Sequence, residues 1–261
     1  MKSIALTQEL LNHFQISEYY QANPGGQKTV FIVTIDNKKF ALKIINVADE
    51  RFEREVKICK EFALNNGIPN IERVEIFGSN TIILEQYIDG NDLSEILPEF
   101  LNNEQKIREI LTKVVKILIP IWEARYVHRD LKPQNIRIKS NSEPVVLDFG
   151  IARVLNDDSI TATGGQPLSW LFATPEQYSG KKDLISYKTD FFCLGIIAFN
   201  LFTGRLPFGN TREEIEQTFM KNISEINSGN EFINNFSNEV FKINPSERPR
   251  KINSILNLLE K

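Results

Sequence analysis

Cysteine is scarce in this chain of 261 residues: there are only two, Cys59 and Cys193, and both fall inside apolar stretches of helical pattern. That excludes a disulfide framework and leaves reduced core thiols as the expected state. No apolar run reaches the ~20 residues of a membrane span. The amino terminus, Met1 to Glu9, turns polar before it can form the hydrophobic stretch of a signal peptide. A cytoplasmic location is expected, with secretion by a route that needs no cleavable signal left open. An excess of one charge is also missing. The 31 Lys and Arg are interspersed with 34 Asp and Glu for a net charge of −3, so no basic stripe announces nucleic acid or an anionic membrane as partner. There is no internal repeat and no low-complexity linker. With 41% apolar and 25% charged residues the composition is that of a folded chain, far from the disordered class. Its length exceeds the usual single core, so two packed sub-domains or one large α/β unit are expected.

What is present changes character along the chain. Ile4, Leu6, Leu10, Leu11 and Phe14 suit a short amphipathic helix over residues 3–14. Val30 to Ile35 and Lys39 to Ile45, separated by Asp36-Asn37, read as a β-hairpin of β-branched and aromatic residues. A charged helix is expected at about 50–65, then strands around Val74 to Phe77 and Thr81 to Leu84, before Asp89-Gly90-Asn91-Asp92 breaks the pattern. Beyond Leu93 the periodicity is helical, with runs at 104–126, 188–203 and 211–226 and a last helix near 250–260. Between the first two of these runs, brief β segments at Asn135 to Ile138 and Val145 to Leu147 frame most of the polar residues suited to chemistry. The polar segment from Asn156 to Gly165 is the best candidate for a mobile loop.

The segment His128-Arg129-Asp130-Leu131-Lys132-Pro133-Gln134-Asn135 offers a carboxylate, a lysine two positions later and an amide five positions after the carboxylate. Asp148-Phe149-Gly150 follows Asn135 by thirteen residues and ends an apolar run, Val145-Val146-Leu147. Phosphoryl transfer needs such parts: a base near a hydroxyl, oxygen ligands for a divalent metal, and cations on phosphate. In the upstream hairpin, strand alternation points Ala41 and Lys43 to the same face, and the helix after it, Glu50 to Val56, is rich in carboxylates.

These residues, in this order, resemble the eukaryotic-like (Hanks-type) Ser/Thr protein kinase family over about residues 17–261. The compact, Asn-, Ile- and Lys-rich chain is similar to bacterial members. The resemblance implies an α+β, two-lobed fold: a β-rich N-lobe at 1–85 with one main helix, a hinge at 86–90, and a larger, mainly helical C-lobe at 91–261. It implies Mg-ATP (or Mn-ATP) between the lobes and transfer of the γ-phosphate to a Ser or Thr hydroxyl of a protein, since Lys132-Pro133 is the Ser/Thr version of the loop. In that likeness Asp130 accepts the hydroxyl proton, Lys132 neutralises charge on the moving phosphoryl group, and Asn135 and Asp148 hold the metal. Lys43 meets the α- and β-phosphates and is paired with Glu55, with Glu53 as runner-up. Val30, Ala41, Gln86, Ile88 and Arg137 are expected around the adenine. Thr174-Pro175-Glu176, Asp190 to Gly195 and Pro245 to Pro249 resemble further family landmarks, with Arg248 expected on Glu176 and Asp190 expected to hold the catalytic-loop backbone. Small-molecule phosphotransferases typically lack this region, which favours a protein substrate.

The chain also departs from the pattern. Asn23, Gly25 and Lys28 stand where three loop glycines are usual, so only Gly25 and Gly26 remain for close approach to phosphate, and a modest ATP affinity is expected. Glu85 or Leu84 stands at the hinge entrance, where a buried glutamate is costly without a partner. Arg137 replaces an apolar adenine floor; with Glu85 it is expected to alter nucleotide selectivity. Ser159, Thr161 and Thr163 lie in the activation-segment region, and autophosphorylation is expected at Thr161 or Thr163, gripped by Arg129. Ser169 occupies the position next to the substrate hydroxyl. No regulatory domain is expected within the chain. A pseudokinase, using the same shape as a protein-binding module with weak or no catalysis, is the competing expectation.

Overall fold

The structure, a computed structural model, describes residues 6–22, 29–45, 50–149, 153–154, 170–221 and 226–260. By internal contacts the chain forms two compact units, residues 1–89 and 90–261.

In the first unit, strand alternation sorts residues between two faces of one antiparallel sheet. The strands are β1 (Glu18–Gln21), β2 (Thr29–Ile35), β3 (Lys38–Ile45), β4 (Ile71–Phe77) and β5 (Asn80–Gln86), in spatial order β1-β2-β3-β5-β4. Asp36 and Asn37 both have positive φ (48° and 60°), the turn that matches the twist of a two-residue hairpin, so β2 and β3 pair in register from Thr29–Ile44 to Ile35–Lys38. On one face Phe31, Val33, Leu42, Ile44, Ile82 and Leu84 form a buried cluster with Leu6 and with Leu10 and Phe14 of helix α1 (Gln8–Phe14). Thr7 caps α1, its hydroxyl accepting from the Leu10 N–H. The period-2 geometry sends Ala41, Lys43, Ile83 and Glu85 to the other face. Helix α2 (Glu50–Glu61) reaches that face through Glu55.

The expected β-hairpin, the following helix and the strand pair are thus present with ends shifted by a few residues. β1 was not foreseen: its four residues are all exposed, so no alternation marks it, and it forms only by pairing Glu18 to Gln21 with Thr34 to Phe31. Leu84 and Glu85, left open at the sequence level, separate by face: Leu84 joins the cluster under α1, and Glu85 lies with Lys43.

The second unit is mainly helical. Its helices are α3 (Glu104–Glu123), α4 (Pro175–Tyr178), α5 (Tyr187–Thr203), α6 (Arg212–Met220), α7 (Glu231–Val240) and α8 (Ser254–Glu260). Short strands β6 (Asn91–Asp92), β8 (Ile136–Ile138) and β9 (Pro144–Val146) make one small sheet; β7 (Tyr126–Val127) pairs with β10 (Arg153–Val154). From Thr189 to Phe202 every residue of α5 is buried. α5 is therefore the core helix of the unit, packed against both α3 and α7. Cys193 lies there and Cys59 in α2, both buried and unbridged, as the composition led one to expect. Burial pushes the Cys193 thiol well above its ordinary value, so it stays a thiol.

α7 was missed at the sequence level. Three asparagines (Asn234, Asn235 and Asn238) and Ser237 dilute its stripe, yet Phe232, Ile233, Phe236 and Val240 recur at helical spacing behind the cap Asn230. The contact that defines it is close. A Cβ on Gly195 of α5 would stand 2.5 Å from Val240 Cγ2 and 2.6 Å from Phe241 Cε1. Gly195→Ala is therefore expected to lower unfolding free energy by about 1–3 kcal/mol through overpacking. Urea unfolding checks this; a gain in stability, as expected for glycine to alanine in an uncrowded helix, would contradict it.

Candidate active site

In the first unit the residues of interest gather around one ammonium group. Lys43 Nζ lies 2.8 Å from Glu55 Oε1 and 2.8 Å from Glu85 Oε2, and the three side chains are only 7%, 4% and 7% exposed. Glu53, the other candidate partner, is exposed. Ala41 is buried directly across from Glu85 in the β3–β5 register, and Val30 is half-buried across from Lys43 in β2. The Gln86 N–H donates to the Asn70 carbonyl (2.8 Å), and Ile88 is buried. Gly25, Gly26 and the other residues of the degraded glycine loop lie outside the described residues.

In the second unit a fixed scaffold holds the catalytic-loop segment. Asp190, fully buried at the start of α5, accepts three hydrogen bonds: from Trp122 Nε1 (2.8 Å) and the His128 N–H (2.9 Å) at Oδ2, and from the Arg129 N–H (2.9 Å) at Oδ1. Burial pushes its carboxyl above the ordinary range, opposed first by the nearby His128 and then by these donors. The bonds hold Arg129 in the left-handed region (φ 72°), a conformation that costs energy in a non-glycine residue and persists only where its surroundings impose it. Gln177 of α4 adds a bond to the Arg129 carbonyl (2.7 Å). His128 is buried; its Nδ1 accepts from the Asp130 N–H (3.3 Å), so Nε2 carries the proton and donates to the Leu147 carbonyl (2.9 Å). One ring therefore ties the loop to the strand that leads to Asp148.

On this scaffold Lys132 Nζ sits 2.7 Å from Asp130 Oδ2. Asn135 donates through Nδ2 to the Asp130 carbonyl (2.8 Å) and to Asp130 Oδ2 (3.1 Å). Both partners converge on Oδ2, so Oδ1 accepts neither of these bonds. The side chains of Asp130 and Lys132 are 18% and 19% exposed, open enough to meet a substrate. The Asn135 carbonyl accepts from the Leu147 N–H (2.8 Å), which brings Asp148 to the end of β9 beside the loop, with φ 65°. Arg137 is half-buried and its guanidinium donates to the Gly90 carbonyl.

Deeper in the unit, Glu176 and Arg248 form a bidentate pair, Nη1 to Oε1 and Nη2 to Oε2 at 2.8 Å each, with both side chains fully buried. Thr189 donates to Glu176 Oε1 (2.8 Å), and Arg248 also donates to the carbonyls of Lys242 (2.9 Å) and Lys188 (3.1 Å) while lying over the Phe192 ring. Thr161, Thr163, Ser159 and Ser169 lie outside the described residues.

Asn135 and Asp148 supply hard oxygen donors, the type that Mg²⁺ and Mn²⁺ prefer. With its amino group turned to Asp130, Asn135 has its amide oxygen as the atom that could hold a metal, so the donor set fits a divalent cation. Among the described residues no group of three or more His, Cys, Asp or Glu forms a separate metal cluster. No helix among them is long and apolar enough to cross a membrane.

A small antiparallel sheet bearing a lysine–glutamate pair, followed by a mainly helical unit bearing the His128–Asn135 loop, is the organisation of a protein kinase domain. The family description "protein kinase domain" matches residues 24–258, and the chain belongs to that family. Among curated proteins it is similar to the probable serine/threonine-protein kinase PknB of Lactococcus lactis, 34% identical over 165 residues, 62% of this chain and 26% of that protein. It is also similar to the probable serine/threonine-protein kinase CA_C1728 of Clostridium acetobutylicum, 31% identical over 209 residues, 76% and 31% of the two chains. A third relative, the serine/threonine-protein kinase PrkC of Bacillus subtilis, is 31% identical over 193 residues, 70% and 30% of the two chains. The chain thus spans about a quarter to a third of the length of these relatives. The Hanks-type Ser/Thr kinase resemblance and the α+β fold class stand.

Proposed function

We propose that this chain is a Ser/Thr protein kinase domain, with lobes at 1–85 and 91–261 and a hinge at 86–90, that transfers the γ-phosphate of ATP to a protein hydroxyl. The observation that carries this reading is the state of Asp130. Its Oδ2 is held by Lys132 and Asn135, the N–H of Arg129 before it by Asp190, and its own N–H by His128 Nδ1. A carboxylate so fixed has one oxygen oriented for a hydroxyl proton, which is what a positioned base requires. Lys132, already beside Asp130, is placed to neutralise charge that grows on the transferring group. Lys43, fixed by Glu55, is the group for the α- and β-phosphates. Asn135 and Asp148 would hold Mg²⁺ or Mn²⁺, which when bound screens the phosphate charge and orients the γ-phosphate. Ala41, Val30, Gln86 and Ile88 are the residues we assign to adenine, with Gly25 and Gly26 assigned to the phosphates.

Arg137 receives a revised role. Its guanidinium donates through Nη2 to the Gly90 carbonyl, so we assign its stem to the base. The presence of Lys43, Asp130, Asn135 and Asp148 together weighs against a pseudokinase. A protein acceptor is favoured over a small hydroxyl compound because the buried Glu176–Arg248 pair builds a platform that small-molecule phosphotransferases lack.

The test is transfer of labelled γ-phosphate from Mg-ATP to the chain itself, to a generic protein acceptor and to a panel of small hydroxyl compounds, with Asp148→Asn alongside. Label is expected on protein with the parent and absent with the variant. Mass spectrometry of the labelled chain is expected to find phosphate at Thr161 or Thr163. No label on protein from a folded parent sample contradicts the function; label only outside 156–165 contradicts the assignment of the sites.

A further inference from the structure

Asp190 does not clamp the catalytic loop unaided. Its Oδ2 accepts from the His128 N–H and from Trp122 Nε1, and only the first of these donors belongs to the loop. Trp122 reaches the carboxylate from α3, 68 positions earlier in the chain. It is buried, and its ring stands edge-on to that of Phe191 (5.2 Å, 80°). Packing fixes such an indole, so its N–H fixes the oxygen it meets. Oδ1 is then the oxygen turned to the Arg129 N–H. We infer that Trp122 is a positioning residue for phosphoryl transfer: through Oδ2 it sets the plane of the Asp190 carboxylate, and thereby holds the left-handed Arg129 backbone that precedes Asp130. This rests on the reading of Asp130 as the base.

Two effects separate this role from that of a space-filling core residue. Without the indole N–H, Oδ2 keeps only the loop donor that it serves to hold, so the carboxylate is free to turn. The φ of 72° at Arg129 then loses part of what imposes it. Asp130 is less well aligned with the hydroxyl, which lowers kcat and leaves nucleotide binding alone. The second effect is on ionisation. Burial raises the Asp190 carboxyl, and the Trp122 bond is one of the interactions that oppose the rise. The titratable groups that bear on Asp190 are His128, from the loop, and Cys193, on its own helix and itself acted on by Asp130, Glu176 and Arg248. Removing the indole donor raises the carboxyl further. A neutral Asp190 accepts the loop N–H groups more weakly than an ionised one. Activity is then lost at a higher pH as the solution is made acidic.

The experiment measures steady-state phosphorylation of a generic protein acceptor by the whole chain as a function of pH, for the parent and for Trp122→Phe, Trp122→Met and Trp122→His, with circular dichroism to check folding. Phenylalanine and methionine both lack the donor, so failure of either to fold leaves the other to decide. Histidine keeps the five-membered ring of indole, with Nε2–H standing where the indole Nε1–H stands, yet it fills less space than phenylalanine. Trp122→Phe is expected to lower kcat about tenfold, a bond to a charged group expressed as a rate, with the KM for ATP within about twofold of the parent. Its acid limb is expected at higher pH. Trp122→His should keep more activity than Trp122→Phe and show no such displacement of the limb. Lost packing alone predicts the reverse order and an unmoved limb, and either of those results overturns the proposal. Should none of the variants fold, the parent decides: of the two indoles in the chain, that of Trp122 must exchange its N–H slowly, and exchange as fast as in free tryptophan contradicts the bond. Asp130→Asn tells a failure of this role from a failure of the underlying reading. If it keeps parent-like kcat, both fall. If it is inactive while Trp122→Phe behaves as the parent does, only the role of Trp122 falls.

Discussion

Asp130→Asn is expected to lower kcat by about 10²–10⁴, the span associated with a positioned general base, with the KM for ATP changed little. The reason lies in which oxygen does what. Lys132 and Asn135 both donate to Oδ2, so an asparagine will turn its carbonyl oxygen to that place and its amino group to the place of Oδ1. A hydrogen-bond acceptor for the substrate hydroxyl then becomes a donor, and the proton has no base. The scaffold should survive, because the Asp130 backbone is held through His128 Nδ1 and Asn135 Nδ2. Steady-state phosphorylation of a generic acceptor, with circular dichroism as a check on folding, measures this. Parent-like kcat in a folded variant would remove Asp130 from its assigned role.

The second large effect concerns stability. Arg248→Leu is expected to cost about 3–5 kcal/mol, the range for breaking a buried ion pair by removing one partner. Glu176 would keep the Thr189 hydroxyl but lose both guanidinium bonds, and the carbonyls of Lys242 and Lys188 would each lose a donor. A buried carboxylate left with one neutral donor is poorly compensated. Such a loss is a large part of the ~5–15 kcal/mol that holds a typical domain folded, so much of the variant should be unfolded at growth temperature. The double variant Glu176→Gln with Arg248→Met should be less unstable than Arg248→Leu alone, since no uncompensated charge remains. Urea unfolding of the three proteins decides it. If the double variant is as unstable as Arg248→Leu or more so, the cost lies in lost packing on Phe192 and not in the orphaned charge.

The two effects belong to one construction. Asp190 begins the most buried helix of its unit and spends its carboxylate on the backbone of the loop that carries Asp130. Burial raises the Asp190 carboxyl, and its three donors oppose that rise without cancelling it. Glu176 and Arg248 stand against the same helix through Thr189 and Phe192. Chemistry at a half-buried loop is thereby tied to the buried core of its unit.

Residues that act through local spacing were legible before any coordinates. In the segment from His128 to Asn135 the carboxylate, lysine and amide lie within five residues, so the chain itself keeps them near one another, while Asp190 and Gln177 fix the backbone conformation in which they meet. Strand alternation likewise placed Ala41 and Lys43 on one face, because a pleated strand admits no other arrangement. The pairing of Glu176 with Arg248, 72 positions apart, was foreseen only through family likeness; spacing alone says nothing about it. The register of β3 against β5, set by two hydrophobic faces packing at once, decided that Glu85 and not Leu84 joins Lys43. Packing against α5 decided that the Asn-rich stretch from Glu231 to Val240 is a helix, and pairing with β2 decided that an exposed run from Glu18 to Gln21 is a strand. The sequence by itself determined the chemistry of contiguous motifs and the facing of each strand, because both follow from bond geometry over a few residues. Only the tertiary structure decided which distant charges share a buried site, because that depends on register and packing summed over the whole fold.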